Sequence, residues 1–211
     1  MQVVEVRQEI PIRLESIFIE CLKRAEMYID LLSLDCYAYD AFNNIPSQLA
    51  FTEEEEIKGE RLLQHMGIKL GAPFVCFHAR DKMYLNLEYS NDWTYHDFRD
   101  CDIQNYLASA EYLASRGIPA LRMGSIVEFA LPKSSPGIID YAKRHRTDFG
   151  DIFLSAKCKF FLGNTAGICC LRWIFKKPSA FANFPHSGIP PFFKNDLFIV
   201  KKPWLVGRKR F

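Results

Sequence analysis

The chain has 211 residues, 49% of them hydrophobic and 25% charged, with a formal net charge of +2. That composition is ordinary for a globular protein with a sizeable core, and so small a net charge argues against a protein built to capture nucleic acid electrostatically. The seven cysteines are odd in number and contain no C-x-x-C pair, which excludes the common zinc spacings, speaks against a disulfide framework and fits a cytoplasmic, reducing compartment.

In chain order, residues 1–50 carry the weakest signals. Helical periodicity runs from Ile17 to Leu34, and Asn43 to Ser47 reads as a turn. Met1 to Arg7 has no apolar core of a signal peptide. Thr52 followed by Glu53 to Glu56 predicts a helix start, a hydroxyl cap with carboxylates at the positive end of the dipole, and Gly67 ends that helix. Residues 1–70 are therefore expected to be a mainly helical N-terminal segment, and residues 71–211 a separate domain.

From Ala72 the pattern alternates strand and helix. Phe74 to His78 is a continuous apolar run, the mark of a strand buried on both faces of a parallel sheet. Asp102 is expected to cap a helix that closes at Gly117, and a strand follows over Ile118 to Met123. Ile138 to Ala142 reads as a helical turn or two, and Asp151 as the opening of an apolar helix to Cys158. A strand over Phe160 to Leu162, the loop Gly163 to Gly167, a helix to Phe175 and a strand from Ser179 complete the series. The fold class expected is α/β: a Rossmann-like parallel sheet with helices on both faces. The longest apolar stretch, Ile152 to Phe175, is broken by Lys157, Lys159, Asn164 and Arg172 and does not span a bilayer as one helix.

In such sheets ligands bind beyond the carboxyl ends of the strands. Arg80 emerges there, and its guanidinium suits two phosphate oxygens while staying charged at any working pH. The loop Gly163-Asn164-Thr165-Ala166-Gly167 lies between a strand and a helix. It is either a bend or a phosphate loop, with Asn164, Thr165 and Gly167 as the candidate contacts. His78 reads as a pocket residue or a satisfied core histidine, and Asp151 as a helix cap or an acceptor for a base edge or ribose. Arg122 and Glu128 read as a surface ion pair or as ribose contacts. The basic runs at Lys143 to Arg146, Lys201-Lys202 and Arg208 to Arg210 are solvated faces or a peripheral contact with an anionic membrane surface.

Several segments together resemble a known family. Phe77-His78-Ala79-Arg80-Asp81, Asp92 to Asp100, Arg122-Met123-Gly124, Thr147 to Ala156 and Gly163 to Gly167 look like bacterial putative glycosyltransferases of surface-polysaccharide gene clusters. More distantly, His-x-Arg with Asp-Ile-x-x-Leu-Ser and a small-residue loop is similar to fucosyltransferases of the GT-B fold. The resemblance spans roughly residues 50 to 205. It implies the donor-binding half of a GT-B enzyme, with residues 1–70 too few for a whole acceptor domain.

It also implies roles. Arg80 would hold the diphosphate of a nucleotide sugar, His78 and Asp151 would address the base, and Thr165 would help hold phosphate. The implied activity is glycosyl transfer to a polysaccharide or lipid-linked acceptor at or near the inner membrane surface, without metal or other cofactor. Asp81 and Glu88 are the candidate bases for an inverting reaction. The second Arg that often follows His-x-Arg is replaced by Asp81, and Thr165-Ala166-Gly167 stands where a Ser pair is common. Guanine and fucose are therefore not carried over. The alternative is a non-catalytic or truncated nucleotide-sugar binding module.

Overall fold

The computed structural model describes Glu20, Arg24 and residues 43–131, 136–185 and 193–202. The chain divides into two compact units, Met1–Asn44 and Ile45–Phe211. In the first, Glu20 and Arg24 are helical; the rest of the periodic stretch from Ile17 to Leu34 lies outside the described residues. The second begins at Ile45, upstream of the boundary expected near residue 70, because the helix after Thr52 packs into its core.

That helix, α1 (Glu53–His65), starts with a full capping box: Thr52 accepts from the Glu55 amide while the Glu55 carboxylate accepts from the Thr52 amide. Its Leu63, with Met66 and Ile68 just beyond, joins the main apolar cluster. Gly59 of α1 lies directly against the ring of Phe153, leaving no room there for a Cβ.

Six parallel strands follow: β1 (Val75–His78), β2 (Ala120–Arg122), β3 (Ile138–Ile139), β4 (Phe161–Gly163), β5 (Ser179–Phe184) and β6 (Leu197–Val200). They lie in the order β3-β2-β1-β4-β5-β6, the doubly wound arrangement expected of a Rossmann-like sheet. Alternation along β1 assigns the two cores. Cys76 faces a cluster with Leu63, Phe153, Leu154 and Phe161, while Val75 and Phe77 face a second cluster with Tyr106 and Ala110.

The helices are α2 (Met83–Glu88), a 3-10 turn (Thr94–Arg99), α3 (Gln104–Ser115), α4 (Tyr141–Arg144), α5 (Asp148–Lys157) and α6 (Cys169–Ile174). Asp102, expected as the cap of α3, stands one residue before the cap position Ile103, and its carboxylate accepts from the Gln104 amide at 2.9 Å. Two expectations need correction. Ile138 and Ile139 form the edge strand β3, and helix begins only at Tyr141. Asp151 does not open its helix: Thr147 caps α5 by accepting from the Gly150 amide, which puts Asp151 in the first turn. Among the described residues no helix is long and apolar enough to cross a membrane.

Candidate functional site

Because the strand order reverses between β1 and β4, the chain leaves those two strands in opposite directions and opens a crevice at their carboxyl ends. Two strands meet tightly there. A Cβ on Gly163 would lie 2.7 Å from the His78 carbonyl oxygen, so glycine permits the close approach. The next residue, Asn164, is fully buried and spans the gap. Its Oδ1 accepts from the Arg80 amide at 2.9 Å, and its Nδ2 donates to the Arg99 carbonyl at 2.7 Å. Asn164 thus pins two arginine-bearing segments to one point, rather than presenting its amide to the crevice.

Arg80 is buried, and its guanidinium pairs with Asp100 while donating to the His96 carbonyl at 3.3 Å. Burial and the neighbouring Arg99 cation pull its pKa below the usual arginine value, opposed by Asp97 and Asp81. It nonetheless stays charged at working pH. Two cavities flank it.

One, of about 490 Å³, opens between the end of β1 and the loop after β4. It is lined by His78, Arg80, Trp93, Arg99, Arg146 and the segment Ala166–Ile168, among others. A Cβ on Gly167 would meet nothing within 4 Å, so this part of the loop backbone faces open space. The other, of about 510 Å³, opens between β1 and β2 and is lined by Asp81, Lys82, Asp100, Asp102, Arg122 and Glu128 as well as Arg80.

His78 lines the first cavity. Its Nδ1 lies 2.9 Å from the Met123 carbonyl, so that nitrogen carries the proton and Nε2 is the acceptor. Burial pushes its pKa below the ordinary histidine value; the Met123 carbonyl and Asp81 oppose that shift, and Arg122 and Arg80 add to it. Gly124 at the β2 end has a φ of 147°, and a Cβ there would clash with Val127 at 2.6 Å while only touching the His78 ring, at 3.5 Å.

The remaining candidates occupy different surroundings. Arg122 is buried and pairs with Asp140, not with Glu128; it also donates to the Phe129 carbonyl at 2.7 Å, fixing the loop after β2. Glu128 and Arg122 do share the second cavity. Asp81 accepts from the Met83 and Glu128 amides at 3.0 and 3.2 Å, one oxygen on each. Glu88 is exposed at the end of α2 and lines neither of these two cavities.

Asp151 pairs with Arg146, while its Oδ1 is buried without a hydrogen-bond partner. Burial raises its pKa, and Arg146 holds that rise back. Arg146 reaches the first cavity, and Asp151 stands behind it. The Thr165 carbonyl accepts from Arg99 at 3.0 Å, and the Thr165 hydroxyl is buried without a partner.

Sequence reasoning assigns no role to Trp93, His96 or Arg99 and reads Arg146 only as part of a solvated or membrane-facing basic run. The local signal for the first three is the aromatic run Trp93-Thr94-Tyr95-His96, bracketed by Asp92 and Asp97, with Arg99 just beyond it. Nothing local shows that the 3-10 turn folds back onto the β4 loop. The stacked Trp93 and His96 rings, 5.8 Å apart at 14°, form one wall of the first cavity. Chemically the crevice offers fixed guanidinium groups, a neutral imidazole and an open glycine-bearing backbone, a set suited to an oxyanion. No group of three or more His, Cys, Asp or Glu with metal-binding geometry occurs among the described residues.

No family model matches the chain, and none of the curated proteins does. A solved structure does: the glycosyl transferase family 9 protein from Veillonella parvula, at 12% identity and a TM-score of 0.50. The match covers 72% of this chain and 41% of that one, so the chain spans about two-fifths of the length of the protein it resembles. The shared feature is a Rossmann-type α/β fold.

Proposed function

We propose that the chain binds the diphosphate of a nucleotide sugar in the crevice between β1 and β4 and serves transfer of that sugar to a polysaccharide or lipid-linked acceptor. One observation carries the reading. The cavity at the reversal of strand order is lined on one side by Arg80 and on the other by the open backbone of Ala166–Ile168. A fixed cation that shares a cavity with an open glycine-bearing loop is placed to stabilise the charge that develops on a departing diphosphate, the task a metal performs elsewhere. Transfer is accordingly proposed to be metal-independent. His78, with an acceptor Nε2, is the proposed contact for base or ribose, and Asp151 positions Arg146 at the cavity.

A second reading, a nucleotide-sugar binding module without transfer, is favoured by Asp81. Both of its oxygens already accept backbone amides, which leaves it poorly placed to take a proton from an acceptor hydroxyl. The experiment that separates the two is release of nucleoside diphosphate from UDP-, GDP-, CDP- and dTDP-sugars, with and without a glycan acceptor and with and without EDTA. Chelator-insensitive release supports the transferase. Binding of the same donors with no release in any mixture supports the module, and absence of donor binding removes both.

A further inference from the structure

We infer that Arg99 is the second guanidinium of a two-arginine anion clamp, closing with Arg80 on the same oxyanion; this rests on the diphosphate reading above. Arg80 has a carboxylate partner in Asp100, and Arg146 has two, Asp148 and Asp151. Arg99 forms no ion pair among the described residues, and its only acceptor there is the neutral Thr165 carbonyl. Among the described residues it is therefore the one arginine lining this cavity whose charge is uncompensated by a carboxylate. Its Nε is also buried with no hydrogen-bond partner.

That nitrogen is not alone. Trp93 Nε1, His96 Nδ1 and Thr165 Oγ1 are likewise buried without partners, and all four atoms belong to the 3-10 turn, to Trp93 just before it or to the loop it touches. Native proteins leave few buried polar groups unpaired, and this concentration lies at the cavity that Trp93, His96 and Arg99 line and beside which Thr165 stands, a place where a ligand supplies missing partners. All four groups are donors or can donate, and the charge beside them is positive. An oxyanion satisfies that set.

The geometry couples Arg99 to Arg80. Asn164 holds the Arg80 amide with one end of its side chain and the Arg99 carbonyl with the other. The two cations are close enough that Arg99 lowers the Arg80 pKa. Two like charges held together by a buried amide repel each other, and an anion between them relieves that repulsion.

Isothermal titration with inorganic pyrophosphate at low ionic strength tests the clamp on the full chain. Wild type is expected to bind, Arg99→Gln to bind roughly 10- to 100-fold more weakly, the scale of one charge-assisted hydrogen bond, and Arg99→Lys to recover part of that loss. Arg116→Gln, at the far end of α3, is the control and should match wild type. Undiminished pyrophosphate binding by Arg99→Gln overturns this inference and leaves the Arg80 reading standing; so does a Lys variant no better than Gln. No binding by wild type overturns both. Should Arg99→Gln fail to fold, phenylglyoxal modification of wild type keeps the question open to refutation. Pyrophosphate is expected to slow modification of the Arg99 peptide, and an unchanged rate overturns the inference.

Discussion

Arg80 and Asn164 are joined across the centre of the sheet: the Arg80 amide, just past β1, donates to Asn164 Oδ1, just past β4, at 2.9 Å. This bond closes the strand-order reversal at the level of individual atoms. It explains why a fully buried asparagine sits in a loop otherwise made of small residues. Asn164→Ala leaves the Arg80 amide and the Arg99 carbonyl without their partner. A loss of roughly 2–6 kcal/mol in unfolding free energy is expected, from two buried groups at about 1–3 each. Urea denaturation measures it, and a loss within about 0.5 kcal/mol, as for an ordinary surface change, would show that water replaces the amide freely.

Asp100 is the counter-ion of Arg80 and competes with any anion for the same guanidinium. Asp100→Asn is therefore expected to tighten binding of nucleoside diphosphates, by a few-fold to about tenfold, while lowering the melting temperature. Calorimetric titration decides the sign. Weaker binding would mean that Asp100 aims Arg80 rather than masking it.

The two glycines of the β4 loop should respond differently. A Cβ at Gly163 strikes the His78 carbonyl oxygen, so Gly163→Ala is expected to cost about 1–3 kcal/mol of stability through overpacking. At Gly167 the same atom meets nothing, so Gly167→Ala should leave stability within about 0.5 kcal/mol. If a diphosphate lies against that backbone, Gly167→Ala nevertheless weakens its binding. A Gly167→Ala variant with unchanged stability and unchanged affinity would move the ligand elsewhere.

His78 makes stability depend on pH. Its folded-state pKa is lowered, chiefly by burial, from an unfolded value of about 6.5. Between those two values the unfolded chain binds a proton that the native state does not. Stability is then fully present above about pH 6.5 and declines as pH falls below it. The groups that act on the imidazole are Asp81, which opposes the shift, and Arg80 and Arg122, which add to it. The urea midpoint should drop between about pH 7.5 and about pH 5.5, and His78→Gln should flatten that slope. An equal slope in the variant assigns the effect to other histidines.

The parts of this fold legible in the sequence were those with strong local chemistry. The apolar run at Val75 to His78, the Thr52–Glu55 box, and Gly67 and Gly117, which both adopt positive φ, announce their elements without tertiary help. Other elements gave little local signal. β3 is only two residues long, too short to show alternation. The start of α5 was hidden because Gly150 reads as a breaker. It stands inside the helix because a Cβ there would lie 2.4 Å from the Tyr141 hydroxyl, a contact between separate elements. Of the site, Arg80 and the Gly163 to Gly167 loop were legible from their place after strands. The part played by Arg99 was not, since its hydrogen bonds run to residues 65 and 66 positions away in the chain.

The claim on which this account turns is that a diphosphate rests between Arg80 and the loop after β4. Calorimetric titration of wild type and Arg80→Gln with GDP, UDP, CDP and dTDP tests it most directly. At least one of the four should bind wild type, and Arg80→Gln should lose roughly 10- to 100-fold in affinity with an unchanged circular dichroism spectrum. Equal affinity in the two proteins, or no binding of any of the four to wild type, would contradict it.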